Sequence, residues 1–375
     1  MVRSMAEKEH ALSETRINRI GREVQAACPE FDAEAFAHDV LGDLPGLGLK
    51  ARIARTSQAL HTHLPVGGLE AADVLLRSLP ATPQDAGVEV DFGLYVYAPH
   101  SHFVAEYCRT GADLEQALEA LRRLTSYFSA EDAMRYFIRD FPTETLKVIQ
   151  TWTEDPDHRV RRLASESTRP RLPWSVNIPL DEDAGLPVLD RLHADTSRFV
   201  TQSVANHLHD IADTNLDLVL QTLARWRTAG QATQKEFDFL AREALRSRLK
   251  KGDDVAYEFL GYPSDPPVEL SPIRLDRSEL RIGETLVFAA DLTAQGDAKV
   301  RVNYVVDSPT KTGKRRQKVY VLKTTEIQAG QSIELGKRHV LKSTATVALV
   351  PGDYALEIHV NGRRSEPAAF RVTDV

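Results

Sequence analysis

The sequence predicts a mainly α-helical repeat solenoid over residues 1–262, a linker at 263–270, and an all-β immunoglobulin-like sandwich over 271–375. Three observations carry this expectation. Apolar residues recur at three- and four-residue spacing in Leu114–Phe128, Leu146–Trp152 and Leu216–Trp226, the period of one helix face. Beyond Tyr262 the stretch PSDPPVELSP breaks that period, and LVFAADL, KVRVNYVV, QKVYVLKTT and DYALEIHV then alternate with period two. The helical part also resembles itself at an interval of 40 residues.

Pro142, Pro156, Pro170 and Gly230 punctuate the helical runs, since proline and glycine start or stop helices for backbone reasons. In the repeat, TLKVIQTWTED aligns with GLPVLDRLHAD. Leu146 falls on Leu186, Val148 on Val188, Ile149 on Leu189, Trp152 on Leu192 and Asp155 on Asp195. The register continues with Val160 on Val200 and Ala164 on Val204, and a weaker third copy places Leu240 and Ala244 a further 40 residues on. Paired helices at this interval are the pattern of a HEAT-like solenoid. In the tail, Gly283, Gly296, Gly313, Gly330 and Pro351-Gly352 separate six or seven short strands, as an immunoglobulin-like sandwich requires.

Composition excludes several classes. No apolar run approaches the roughly 20 residues of a membrane-spanning helix. The start, MVRSMAEKEHALSE, lacks the apolar segment of a signal peptide, so a cytoplasmic (bacterial cytosol or nucleoid) protein is expected. Cys28 and Cys108 are too few for a disulfide framework or a thiolate zinc site. The histidine pairs His61/His63, His100/His102 and His207/His209 are spaced i, i+2, which on a helix points them about 200° apart and away from one ion. No metal and no cofactor are expected.

The net charge of −7 hides two basic segments. Residues 159–171 hold five arginines (159, 161, 162, 169, 171) against Glu166, a local +4; residues 299–342 hold eleven lysines and arginines against three acids, a local +8. Such patches suit a polyanion. The repeat register puts Val160, Leu163, Ala164, Val200, Val204, Leu208 and Ile211 on the buried face of the second helices. Arg159, Arg162, Glu166 and Arg169, then Gln202, Asn206 and Asp210, then Arg242, Arg246 and Lys250 fall on the other face. That face forms one groove with cations at its ends and two carboxylates within. The basic stretch PTKTGKRRQK reads as a hairpin loop whose Lys311, Lys314, Arg315 and Arg316 are free to meet phosphate.

RVRRLASESTRPRLPW, followed by SVANHLHDI, resembles the AlkC-type DNA glycosylases of the HEAT-like DNA alkylation repair family. FDAEAFAHDV and LEQALEALRRLTSYFSAEDAMRYFI extend the resemblance, which covers roughly residues 12–260; some members also carry a C-terminal immunoglobulin-like domain. The family implies hydrolysis of the N-glycosidic bond of cationic alkylated bases, such as 3-methyladenine and 3-methylcytosine, in double-stranded DNA during base excision repair. It implies this without full base flipping and without a metal; a monomer is expected. By position, Glu166 and Asp210 are the expected catalytic carboxylates, with Glu131 a third candidate and Trp174 packing on the lesion's sugar or backbone. Arg162, Arg169 and Arg171 would hold phosphates, with Arg159 and Arg161 beside them, and Asn206 backbone or water. Asp132 departs from the commoner pattern, in which an apolar residue follows the glutamate.

Each residue has an ordinary alternative: an ion pair on a solvated helix face for Glu166, a cap or inter-repeat hydrogen bond for Asp210, a core plug for Trp174. For Glu131 it is service to the helix dipole alone, after a cap at Ser129. The competing function is a non-catalytic HEAT-repeat DNA-binding or scaffold protein. Glu166→Gln and Asp210→Asn are expected to leave folding intact while lowering base release.

Overall fold

The computed structural model describes residues 11–344 and 348–374, and the chain divides into two compact units, one ending at Ala244 and the other running from Leu245 to the C-terminus. The first is helical: α1 (Glu14–Ala27), α2 (Ala33–Asp43), α3 (Leu49–His63), α4 (Gly68–Ser78), α5 (Ala98–Tyr107) and α6 (Leu114–Leu124). It continues with α7 (Glu131–Asp140), α8 (Pro142–Thr151), α9 (His158–Ser167), α10 (Leu186–Leu192), α11 (Arg198–Ala212), α12 (Leu216–Ala229) and α13 (Gln234–Ala244). No helix of the described residues is long and apolar enough to cross a membrane.

The 40-residue repeat is a repeat of helix pairs. The pairs are α8/α9, α10/α11 and α12/α13, and their second members pack in succession, α9 on α11 and α11 on α13, with α7 on the far side of α9. Val160, Leu163 and Ala164 on α9, Val200, Val204, Leu208 and Ile211 on α11, and Leu240 and Ala244 on α13 are all buried. Burying about one such apolar face per helix is what makes a stack stable when no single pair could be. Pro142 opens α8 at its first turn, and Gly230 closes α12 in the left-handed conformation (φ 61°).

The aspartates of the repeat explain why it persists. Asp155 accepts from the backbone N–H of Asp157 (2.8 Å) and from Arg122 Nε (2.6 Å). Asp195 repeats this one unit later, accepting from Ser197 N–H (2.8 Å) and Arg161 Nε (2.6 Å). Each satisfies a donor ahead of a second helix and ties it to a neighbouring arginine.

The second unit opens with two short helices, α14 (Arg246–Lys251) and α15 (Asp254–Phe259). They belong with the strands: Tyr257 on α15 donates to Leu249 O and accepts from Asn303 Nδ2 at 3.0 Å, a buried polar link into β5 (Ala298–Pro309). The remaining strands are β1 (Val268–Leu270), β2 (Arg274–Leu275), β3 (Glu279–Arg281), β4 (Thr285–Ala294), β6 (Arg315–Ile327), β7 (Ser332–Val340), β8 (Gly352–Val360), β9 (Arg363–Arg364) and β10 (Ala368–Thr373). One sheet runs β1-β4-β2 with β7 also on β4; the other runs β3-β10-β8-β5-β6 with β9 on β8. Leu286, Phe288, Val300, Val302, Leu356 and Ile358 form the core between them. The expected class, a helical-repeat solenoid followed by an immunoglobulin-like sandwich, is the one found.

One local expectation changes and another holds. Part of the stretch expected as linker is strand β1, with Val268 opposite Ala294 and Leu270 opposite Leu292. Its Val-Glu-Leu alternation is short enough to be hidden among prolines. The segment 309–318 is a hairpin turn as expected, with Pro309 opposite Arg315 and Gly313 at φ 78°.

Candidate functional site

The carboxylates and arginines singled out in the sequence meet as one buried chain of alternating charge. It runs Glu131, Arg162, Glu166, Arg169, Asp210, drawn from α7, α9, the turn after α9, and α11. Arg162 Nη1 donates to Glu131 Oε2 at 3.1 Å, and its Nη2 lies 3.6 Å from Glu166 Oε1. Arg169 Nη1 donates to the same Glu166 oxygen at 2.6 Å. The fork of Arg169 then clasps Asp210, Nε to Oδ2 at 2.8 Å and Nη2 to Oδ1 at 3.1 Å. Ser203 Oγ, one turn before His207 on α11, donates to the other Glu166 oxygen at 2.7 Å.

All five side chains are buried; Glu166 is 2% exposed and Asp210 7%. The solvated-face alternative for Glu166 is therefore excluded. Burial alone would push the Glu166 carboxyl up, but Arg162, Arg169 and the Ser203 hydroxyl together hold it below the usual glutamate range. Asp210 is likewise held low against burial, by hydrogen bonds from His209 and Arg169 and by the Arg169 charge. Three carboxylates alternate with two guanidiniums, and a third buried guanidinium, that of Arg135, interacts electrostatically with Glu166 and Asp210.

The helix start at Glu131 differs from expectation. Ala130 occupies the N-cap, and the Ser129 hydroxyl donates to the Glu131 carboxylate instead of capping the helix. Ser129 also accepts from Arg162. Asp132, the departure from the family pattern, faces away from this chain and pairs with Lys50 on α3 at 3.2 Å.

Arg135, one turn along α7, is fully buried and pins the segment after α9. Its Nε donates to Val176 O (2.8 Å) and its Nη1 to Arg169 O (2.6 Å) and Ser167 O (3.4 Å). Having neutral carbonyls and no paired carboxylate, its pKa is lowered to about 10 by burial and then by the Arg169 charge. The segment it pins carries Arg171 and Trp174. Trp174 is 48% exposed, which removes the core-plug alternative. Arg171 is exposed and lies 3.5 Å from Asp213.

The other expected residues are distributed differently. Arg161 is clasped by Asp195 through Nε (2.6 Å) and Nη2 (3.0 Å), apart from the charge chain. Arg159 sits beside Asp157 at 3.8 Å. Gln202 and Asn206 are half-buried on α11 and bonded to each other at 3.3 Å. Arg242 is exposed on α13, whereas Arg246 belongs to α14 in the second unit, so the expected third wall ends at Ala244. Lys314, Arg315 and Arg316 are at the β5–β6 turn; Lys314 is exposed, and Arg315 bonds Asp307 (3.0 Å) and Asp353 O (2.7 Å).

Sequence reasoning missed Ser203, Arg135, Phe92 and Phe199. The Arg162 guanidinium lies 5.0 Å from the Phe92 ring and 4.9 Å from the Phe199 ring, which themselves meet edge-on at 5.1 Å. Ser203 and Arg135 sat inside stretches already marked, SVANHLHDI and EDAMRYF, but serine and a lone arginine carry no pattern of their own.

Comparison with known proteins bears on this geometry. Residues 269–374 match the family described as "Uncharacterised protein YhaZ, C-terminal Ig-like domain". The uncharacterized protein YhaZ of Bacillus subtilis (strain 168) is 30% identical over 98% of this chain and 100% of its own length. A solved structure of the Pseudomonas fluorescens alkylpurine DNA glycosylase AlkC, bound to DNA containing an abasic site analog, superposes with a TM-score of 0.88. It is 30% identical, covering 98% of this chain and 99% of that one. This chain belongs to the AlkC family. The AlkC-like stretches RVRRLASESTRPRLPW and SVANHLHDI supply four of the five members of the buried chain of charge, Arg162, Glu166, Arg169 and Asp210.

Proposed function

We propose that the chain is a monofunctional DNA glycosylase that excises cationic alkylated bases, 3-methyladenine and 3-methylcytosine, from double-stranded DNA, with the helical unit carrying the chemistry. The single observation that supports this best is the buried chain Glu131–Arg162–Glu166–Arg169–Asp210, with its three carboxylates brought together. A scaffold has no use for three buried carboxylates held with two arginines, because such an arrangement adds little net stability over apolar packing. A site for a cation does.

The chemistry follows from the lesion. An alkylated base of this class is positively charged, so when its glycosidic bond to C1′ breaks the electron pair neutralises the base, and no proton donor is needed. The sugar becomes oxocarbenium-like; water adds at C1′, and its proton passes to solvent or to a carboxylate. Glu166 and Asp210, both held below their usual pKa, stay ionised and contribute as electrostatic stabilisers and water-orienting groups, not as acids. The fixed arginine clasps keep them from reorganising during the reaction. Trp174 supplies an exposed indole for the sugar or backbone, and Arg159, Arg171 and Arg242 supply phosphate contacts on the helical unit. The loop cations Lys314, Arg315 and Arg316 extend phosphate binding to the sandwich.

The test is incubation of the full chain with methylated duplex DNA and chromatography of the released bases. Release of 3-methyladenine or 3-methylcytosine is expected. DNA binding with no base released would instead make the protein a non-catalytic binder.

A further inference from the structure

We propose that Phe92 is a DNA-stacking residue: its half-exposed ring packs against a nucleobase adjoining the damaged nucleotide. This inference rests on the DNA-repair reading above and assigns it a contact that neither the sequence pattern nor the charge chain indicates.

The observation is an exposed aromatic tip that is rigidly held beside the charge chain. Seven large apolar side chains stand exposed among the described residues, and three of them, Val90, Phe92 and Tyr95, lie within six residues. Scattered exposed apolar residues need no explanation, but a cluster does. Phe92 is 54% exposed. Its ring is not loose: it lies edge-on to Phe199 at 5.1 Å and against the Arg162 guanidinium, the group that binds Glu131 and Glu166.

The backbone under the tip is fixed as well. Leu94 N–H donates to Tyr127 O at 2.8 Å, and Ser129 N–H donates to Phe92 O at 3.0 Å. Gly93 between them has φ 80°, and a Cβ there would lie 2.0 Å from Tyr127 O, so only glycine allows the approach. Asp91 accepts from His158 Nε2 at 2.8 Å, tying the tip to the start of α9. A ring this well anchored yet half in solvent is pre-organised to meet something flat.

The neighbouring groups say what: Phe92 packs on Arg162, whose partners Glu131 and Glu166 are the carboxylates placed at the lesion, so a group meeting this ring adjoins the damaged nucleotide. A base stacked on Phe92 would extend the order guanidinium, ring, base. Aromatic stacking on bases tolerates any sequence, as a lesion-directed enzyme requires.

The probe is a duplex bearing a tetrahydrofuran abasic analogue with 2-aminopurine next to it, titrated with the full chain. Wild type is expected to change the 2-aminopurine fluorescence. Phe92→Ala should abolish that change and weaken binding by about tenfold, the scale of one base–aromatic stack, and Phe92→Trp should restore both. If the alanine variant does not fold, Phe92→Leu keeps apolar packing on Phe199 and should also lose the fluorescence change. A Phe92→Ala protein with wild-type fluorescence change and affinity overturns this inference and leaves the glycosylase reading standing. Wild type that binds no duplex overturns both.

Discussion

Arg169 holds Asp210 by both carboxylate oxygens, at 2.8 and 3.1 Å, while its remaining nitrogen reaches Glu166 at 2.6 Å. One guanidinium thus joins α9 to α11 and sets the distance between two carboxylates. Lysine cannot reproduce that fork, since an ammonium is a point charge. Arg169→Ala leaves the buried Asp210 without its guanidinium and Glu166 with only Arg162 and Ser203, and is expected to cost about 3–5 kcal/mol of unfolding free energy. Arg169→Lys should cost less but still lower base release, because the carboxylates lose their fixed geometry. Urea denaturation and base release, measured side by side, check both.

Glu166→Gln keeps the shape of the side chain and removes its charge. Base release is expected to fall by about 10²-fold or more, the scale of losing one fixed electrostatic group. The sequence alone suggests that folding would be untouched. The structure changes that expectation, because Glu166 is buried between Arg162 and Arg169, and the neutral amide leaves both less compensated. A lowered melting temperature should therefore accompany the lost activity, and Asp210→Asn should behave alike. Full base release by both variants would sink the proposed chemistry.

The fold was legible because its signals are periodic: Val160/Val200 and Ala164/Val204 recur with the helix pairs, and LVFAADL alternates with the sheet. The site was legible by face but not by depth. Arg162, Glu166 and Asp210 were placed on one side of successive helices, yet that side reads as solvent groove in the sequence and is nearly closed in the structure. Periodicity reports direction from a helix axis; it cannot report that α7 brings Glu131 and Phe92's loop brings an aromatic cover. Arg161 illustrates the converse. It looked like one more groove cation, but its register matches the repeat of aspartates, and Asp195 takes it.

Two buried histidines give the protein a predictable pH response. Burial lowers both His100 and His207 to about 4, from an ordinary value of 6.5. Each is neutral in the folded state and protonates more readily unfolded. Their contribution to stability is therefore complete above pH 6.5 and is lost as pH falls from there to about 4, by about 1.4 kcal/mol per pH unit for each histidine. Glu166 and Asp210, held low, lose their contribution only at more acid pH, below the ordinary carboxylate range. The urea midpoint should drop between pH 7 and pH 5 in wild type, and His100→Leu should flatten that slope. An unchanged slope in the variant would show that His100 is not the group responsible.

Asp195 separates architecture from chemistry. It takes Arg161 through two hydrogen bonds and the Ser197 N–H at 2.8 Å, and Asp155 does the same work for Arg122 and Asp157 one repeat earlier. Removing Asp195 leaves the half-buried Arg161 without a carboxylate, removing Asp155 leaves Arg122 with only the exposed Glu119, and each loss leaves a backbone donor ahead of a helix unsatisfied. Asp195→Ala and Asp155→Ala are each expected to lower unfolding free energy by about 3 kcal/mol, as for other broken buried pairs. Neither residue touches the chain from Glu131 to Asp210, so base release per folded molecule, assayed well below the melting temperature, should stay at the wild-type level. Thermal unfolding with activity normalised to the folded fraction makes the distinction. Normal stability with lost base release in Asp195→Ala would mean that Arg161 and its aspartate act on DNA, and that the repeat of aspartates is a functional rather than an architectural one.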